Sequence, residues 1–188
     1  MPPPVVNKQR APRADAAENR QQIIKTAAQM FAKDGPTISI EAIATRAGLG
    51  IGTMYRHFPT KDALISAIVT SYIERMTTLA QELLTAEPMA ALRTMAETLV
   101  IEGARKKDFV AAIGGYEKIM CPALDSTKVK FKAALAKIVQ RAQAAGVLRK
   151  DVTPTDVFTL VNAINMTDAD EKCRLRHLDI VLAGLEAR

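Results

Sequence analysis

Between Ser39 and Phe58 two short helix-forming stretches meet at Gly48, and no other segment so narrows what the chain can become. Ile40, Ile43, Ala44 and Ala47 recur at helical spacing along one side of the first stretch, and Ser39 is placed to cap it. Ile43 and, beyond the turn, Met54 face a common core. Ala44 and Ala47 are small, as two helices meeting at a steep angle require. Gly48 supplies the positive φ of a tight turn, and Leu49 plugs the gap beneath it. The second stretch runs through Gly52 to His57 and is closed by Phe58-Pro59. A random helical hairpin supplies one or two of these features. All of them at consistent spacing define a helix-turn-helix.

The rest of the chain reads as helices too. Ile23, Ile24, Ala27, Ala28 and Phe31 form one helical face that ends at Gly35-Pro36. Thr60 caps a long fourth helix, with Asp62 in its first turn, running to about Thr85. Pro88 starts a helix carrying Leu92, Met95 and Leu99, and a short helix is predicted over Asp108 to Tyr116, ended by Gly114-Gly115. Ser126 to Ala145 follows, stopping at Gly146; Pro154 opens the next, with Val157, Phe158, Leu160, Val161 and Ile164. After a polar loop, Asn165 to Asp170, a last helix carries Leu175, Leu178, Leu182 and Leu185. No strand-like alternation or internal repeat interrupts this pattern. The expectation is an all-α chain of about nine helices. Its parts are a flexible basic arm (1–14), a helix-turn-helix DNA-binding domain (15–60) and a helical body (61–188). The fourth helix serves both of the larger units.

Composition agrees. The 188 residues are 48% hydrophobic, enough for a core, and contain no tryptophan and few aromatics. Two cysteines, Cys121 and Cys173, are too few to staple the chain, and no apolar run reaches membrane-span length, so a reduced cytoplasmic protein is expected. The net charge is +6, and it is concentrated: residues 1–61 hold nine Lys/Arg against four acids, whereas the remainder is close to neutral. A basic unit ahead of a neutral body fits a DNA-binding head.

The second helix of the motif would lie in the major groove. Thr53 and Tyr55 carry hydroxyls able to reach phosphates or base edges. Gly50 and Gly52 let the backbone approach DNA closely, and Ser39, Arg46, Ile51, Arg56 and His57 complete the candidate surface. Thr60 and Lys61 sit at a helix N-terminus, where amides and an ammonium suit a phosphate. Arg10 and Arg13 of the arm are candidates for the minor groove. On an isolated helix the two motif arginines would be solvated charges, and Tyr55 and His57 could equally be packing residues.

Residues 20–65 resemble the TetR family of bacterial transcription regulators. Members carry an Ile-Ala…Ala-Gly-Val turn, a Gly-Thr-Leu-Tyr-x-His/Tyr-Phe segment and a Pro-Ser/Thr-Lys-x-x-Leu start to helix four. The matching residues here are Ile43-Ala44, Ala47-Gly48-Leu49, Gly52-Thr53-Met54-Tyr55-Arg56-His57-Phe58 and Pro59-Thr60-Lys61-Asp62-Ala63-Leu64. The link from Gly35 to Ser39 is a residue shorter than usual. Gly50 stands where a serine or larger polar residue is frequent.

The resemblance implies that the protein is a repressor without enzymatic activity, binding a palindromic operator as a homodimer and released by a small-molecule effector. It implies dimerisation through the last two helices, for which Phe158, Val161, Leu175, Leu178, Leu182 and Leu185 are the candidates. A largely apolar effector would be lined by Met76, Met95, Leu99, Phe109, Ile113, Tyr116, Met120 and Phe131, with Glu97, Glu102 and Asn162 as polar anchors. No cofactor or metal is expected. The rival readings are a body that only dimerises or binds protein, and an enzyme with a metal at Cys173 and His177 beside Asp170 or Asp179.

Overall fold

Caps written into the sequence decide where several helices begin. The Ser39 and Thr60 hydroxyls accept from the amides of Ala42 and Ala63, each at 3.1 Å. Thr153 and Asp156 cap each other reciprocally, with Pro154 in the first turn, and Asp170 accepts from the Cys173 amide at 2.7 Å. Each such cap stabilises its helix by about 1 kcal/mol.

The computed structural model describes residues 12–35, 37–112 and 124–187, the side chains of 12–14, 104–109 and 111–112 excepted. Its helices are α1 (Pro12–Asp34), α2 (Ile40–Arg46), α3 (Ile51–His57), α4 (Lys61–Glu82), α5 (Pro88–Ala112), α6 (Asp125–Ala144), α7 (Pro154–Asn165) and α8 (Glu171–Leu185). A 3₁₀ turn over Leu83–Thr85 follows α4. Among the described residues the β-type pairing is one isolated bridge, Leu148 to Glu186, and no helix is long and apolar enough to cross a membrane. The chain is all-α.

Three boundaries differ from the sequence reading. Helix α1 starts at Pro12, inside the predicted arm, because proline suits a first helical turn. The helices predicted from Pro88 and from Asp108 are one: Gly103 lies inside α5 and does not end it. The remainder of the second, residues 113–116, lies outside the described residues, as does Arg10. Asn165, read as the start of a loop, is the buried last residue of α7.

Two hydrophobic cores result. The head core joins Ile23, Ala27 and Phe31 of α1 to Ile43, Ala44, Met54 and Phe58, and takes Leu64, Ile65 and Ile68 from the first half of α4. The body core takes Met76 and Ala80 from the second half of α4 and packs them against α5, α6, α7 and α8. Ile73, between these two sets, touches both. Thus α4 belongs to head and body at once.

Helices α5 and α7 lock through a notch. The Asn165 amide donates to the Leu99 carbonyl at 3.0 Å, and its side chain fills the space that a β-carbon on Gly103 would occupy. A methyl at that position would lie 2.0 Å from Asn165 Nδ2. Gly103→Ala is therefore expected to cost about 1–3 kcal/mol by forcing the buried Asn165 side chain out of the notch and off the Leu99 carbonyl. Urea unfolding checks this; an unchanged midpoint would refute the notch.

Candidate nucleic-acid interface

The turn between α2 and α3 is a glycine-terminated helix end. Gly48 adopts φ +71°, its amide donates to the Thr45 carbonyl at 3.1 Å, and the Leu49 amide donates to the Ala44 carbonyl at 3.0 Å. This paired arrangement satisfies carbonyls that would otherwise be stranded at the end of α2. Leu49 packs against the head core beneath the turn, as its position required. Gly50 then caps α3 without any side-chain hydrogen bond.

Helix α3 has two sides of opposite character. Met54 is fully buried and anchors it, a burial worth about 1.5–3 kcal/mol. Ile51 and Tyr55 stand 42% and 43% exposed, and Gly52 and Arg56 share that open face. The exposed parts of this isoleucine and tyrosine are left uncovered by the rest of the chain, so their face is available to a partner. Thr53 is half-buried at its edge. His57 is half-buried as well, its ring tilted against Phe58 at 6.3 Å.

Other predicted contacts are partly engaged within the chain. The Ser39 and Thr60 hydroxyls cap α2 and α4, although both residues remain exposed. Arg46 is exposed and lines a cleft with Gln29, Lys33 and Asp34 of α1. Lys61 likewise has partners within the chain. Its ammonium donates to the Ile38 carbonyl at 2.9 Å and lies 5.3 Å from the centre of the Phe31 ring. It ties the α1–α2 link to α4, because a cation with an aromatic face and a carbonyl nearby is well held there.

One residue of this surface escaped the sequence reading. Glu41, in the first turn of α2, accepts a hydrogen bond from the Tyr55 hydroxyl at 3.0 Å. Its carboxyl is held below the usual glutamate value by its own backbone amide, then by Tyr55 and Ser39. The same bond, followed by the Glu41 charge, pushes the Tyr55 phenol above its ordinary value. The fourteen-residue separation between the partners spans the turn, so no local periodicity signals the pair.

In the body the predicted lining residues Met76, Met95, Leu99 and Phe131 all lie within one closely packed cluster, each under 10% exposed. Met76 alone of these also reaches a groove of about 470 Å³ along α4, beside Ser71, Arg75, Thr78 and Leu79. Glu102 pairs with Arg75 at 2.9 Å and Glu97 with Arg93 at 3.7 Å, while Asn162 is half-buried on α7. Tyr72, beside this junction, is pushed up to about 12 by burial and then by the Glu102 charge. The buried polar side chain here is Asn165, whose Oδ1 meets no partner among the described residues. The Phe109 side chain, Ile113, Tyr116 and Met120 lie outside the described residues.

The leucine stripe of α8 is divided between the chain's own core and its margin. Leu178 and Leu182 are each 1% exposed and Val161 is 3% exposed, all within their own chain's core, and Leu175 and Leu185 are half-buried against it. A regular apolar stripe is drawn to the nearest core, which here is the chain's own. The apolar side chains left outside on α7, on α8 and in the link between them are Phe158, Met166 and Ile180, the last two 57% and 62% exposed. Cys173 and His177 face each other at 3.6 Å, but Asp170 caps α8 and Asp179 pairs with Arg93. Among the described residues no three metal-ligating side chains converge.

Comparison with known proteins places both halves. The model for Bacterial regulatory proteins, tetR family, matches residues 23–68, and that for Transcriptional regulator SbtR-like, C-terminal domain, matches residues 87–187. Over 58 residues, 30% of this chain, the sequence is 43% identical to an HTH-type transcriptional regulator of Staphylococcus aureus; the match spans only 31% of that relative's length. The crystal structure of the TetR transcription regulatory protein from Mycobacterium vanbaalenii is 32% identical, with 93% of this chain and 99% of that one covered at a TM-score of 0.73. A TetR transcriptional regulator from Streptomyces coelicolor is 30% identical, with 89% and 98% covered at a TM-score of 0.72. Matched at head and body by the family's models and along nearly its whole length by these structures, the chain belongs to the TetR family of bacterial transcriptional regulators.

Proposed function

We propose that the protein is a ligand-responsive repressor that acts in the cytoplasm, binds a palindromic operator as a homodimer and releases it when a small molecule occupies the body. The open face of α3, with Ile51, Gly52, Tyr55 and Arg56 standing on a helix pinned by Met54, carries the DNA-binding part of this reading. The surrounding head is basic, which favours approach to phosphate from any direction. Thr53, Arg46, His57 and Thr60 flank the face and would contact backbone or base edges at its rim. One such helix reads few base pairs. Two related by a two-fold axis read two half-sites roughly 34–36 Å apart.

The exposed apolar residues Phe158, Met166 and Ile180 mark the surface for the second chain. Transmission would run through α4. A ligand entering beside Met76 and displacing that end of α4 would drag Leu64, Ile65 and Ile68, and the head with them. A coupling of about 1–3 kcal/mol is ordinary for such a device. The close packing of Met95, Leu99 and Phe131 favours a second reading, in which the body only holds the dimer together.

Fluorescence anisotropy on duplexes selected from random DNA, repeated across a salt series, tests the reading. Tight binding with a steep salt slope is expected, weakened about tenfold or more in Tyr55→Ala. An effector screen on the same assay separates the two readings of the body: a compound that lowers affinity supports the sensor, and a body that binds none supports the dimeriser. Gly52→Ala should divide stability from function. A β-carbon there meets nothing within 4 Å, so folding should hold or gain about 0.5–1 kcal/mol while DNA affinity falls. Equal DNA binding by this variant would remove the close backbone approach. Ile180→Glu should keep its helical signal yet sediment as a single chain; a dimer that persists would move the interface elsewhere.

A further inference from the structure

A phenol has one proton to donate and an oxygen that can also accept. In Tyr55 that proton is committed: the hydroxyl donates to Glu41 Oε1 at 3.0 Å, and a carboxylate can only accept. What Tyr55 offers outward is therefore the remaining acceptor capacity of its oxygen. A phosphate oxygen is also an acceptor. It could bond to this hydroxyl only by taking the proton from Glu41, and it would then stand close to the carboxylate's negative charge. The exocyclic amino groups of adenine and cytosine, by contrast, are donors presented in the major groove, and their positions depend on sequence.

We propose that Glu41 is a specificity-determining positioning residue: by holding the Tyr55 proton it presents the hydroxyl as an acceptor that reads an adenine or cytosine amino group and disfavours phosphate. The proposal rests on the DNA-binding role given to α3 above and assigns one atom of that surface its partner. Three further observations support it. The bond joins the first turn of α2 to the open face of α3, so it fixes the ring relative to both helices of the motif. Both side chains are exposed, so the pair does not serve the core. The lowered Glu41 carboxyl and raised Tyr55 phenol keep the donor and acceptor roles as drawn at neutral pH. The carboxylate also opposes phosphate in an otherwise basic head, which weakens binding to unrelated DNA and so sharpens discrimination.

The full-length protein and four variants test this: Tyr55→Phe, Glu41→Gln, Glu41→Ala and the double variant Tyr55→Phe with Glu41→Ala. Binding is measured by anisotropy on the duplex that wild type selects from random DNA. A matched set replaces single adenines by purine, or cytosines by 2-pyrimidinone, each lacking the amino group. Wild type should lose about fivefold at one such position in each half-site. Tyr55→Phe should lose that sensitivity and no other. Glu41→Gln, which still accepts the proton, should retain it. Glu41→Ala should lose it and bind unrelated duplexes more tightly than wild type, and the double variant should give up the share of this gain that comes from the freed Tyr55 hydroxyl while keeping the share that comes from removing the charge. Two results overturn the proposal. One is a Tyr55→Phe loss of equal size on every duplex, the mark of a phosphate contact; the other is a Glu41→Ala variant that keeps the wild-type base preference. Both would leave the protein a sequence-specific DNA binder. If wild type selects no duplex at all, the DNA-binding reading itself fails and takes this proposal with it. Thermal unfolding of each variant separates lost contacts from lost fold.

Discussion

Helix α4 is buried at both ends in different company. Leu64, Ile65 and Ile68 complete the core of the head alongside α1, α2 and α3, and Met76 and Ala80 enter the core of the body. Because interiors are close-packed, neither set can shift without disturbing its neighbours. The two cores therefore share one rigid rod about 33 Å long at the usual helical rise. Every functional property considered for the head, including where α3 points, inherits the position of that rod. Lys61 reinforces the connection by binding the Ile38 carbonyl and covering the Phe31 ring, which ties the start of α4 to the link between α1 and α2.

On this frame the head divides its side chains between holding and reading. Met54, Leu49 and Ala44 hold, and Gly48 makes the turn that sets α3 against α2. Ile51, Tyr55 and Arg56 remain outside. The division explains how seven residues can form a dependable helix: its stability comes from tertiary burial of one side, since so short a segment is not stable alone. The bond between Tyr55 and Glu41 adds a polar constraint where packing is absent. The bond helps to keep the ring in one orientation before any partner arrives, which lowers the ordering cost of binding.

The body follows a different logic. Its apolar positions are consumed mostly by contacts among α4, α5, α6, α7 and α8, and polar residues lock the helices at particular points. Asn165 occupies the notch at Gly103, and Arg93 joins α5 to Asp179 of α8. The isolated bridge between Leu148 and Glu186 fastens the end of α8 to the link that follows α6. Such directional contacts matter in a helical bundle, where hydrophobic burial alone would tolerate sliding of one helix along another.

The head was legible in the sequence because its constraints are local. Ser39, Gly48, Leu49, Met54 and Thr60 each answer a requirement set within a few residues, a cap, a turn or one helical face, and the structure puts each to the predicted use. The all-α class and most helix ends followed from the same short-range rules. What the sequence could not determine was which of two surfaces a periodic stripe would meet. Leu178 and Leu182 have the spacing of an interface, yet turn into their own core and leave Ile180 outside. Nor could spacing show that Lys61 bends inward, that Asn165 finds Gly103 sixty-odd residues away, or that Glu41 takes the proton of Tyr55 across a turn. Periodicity records which residues share a face of one helix. The direction of that face, and the partner waiting there, depend on how the helices cross, and that is decided only when the cores close.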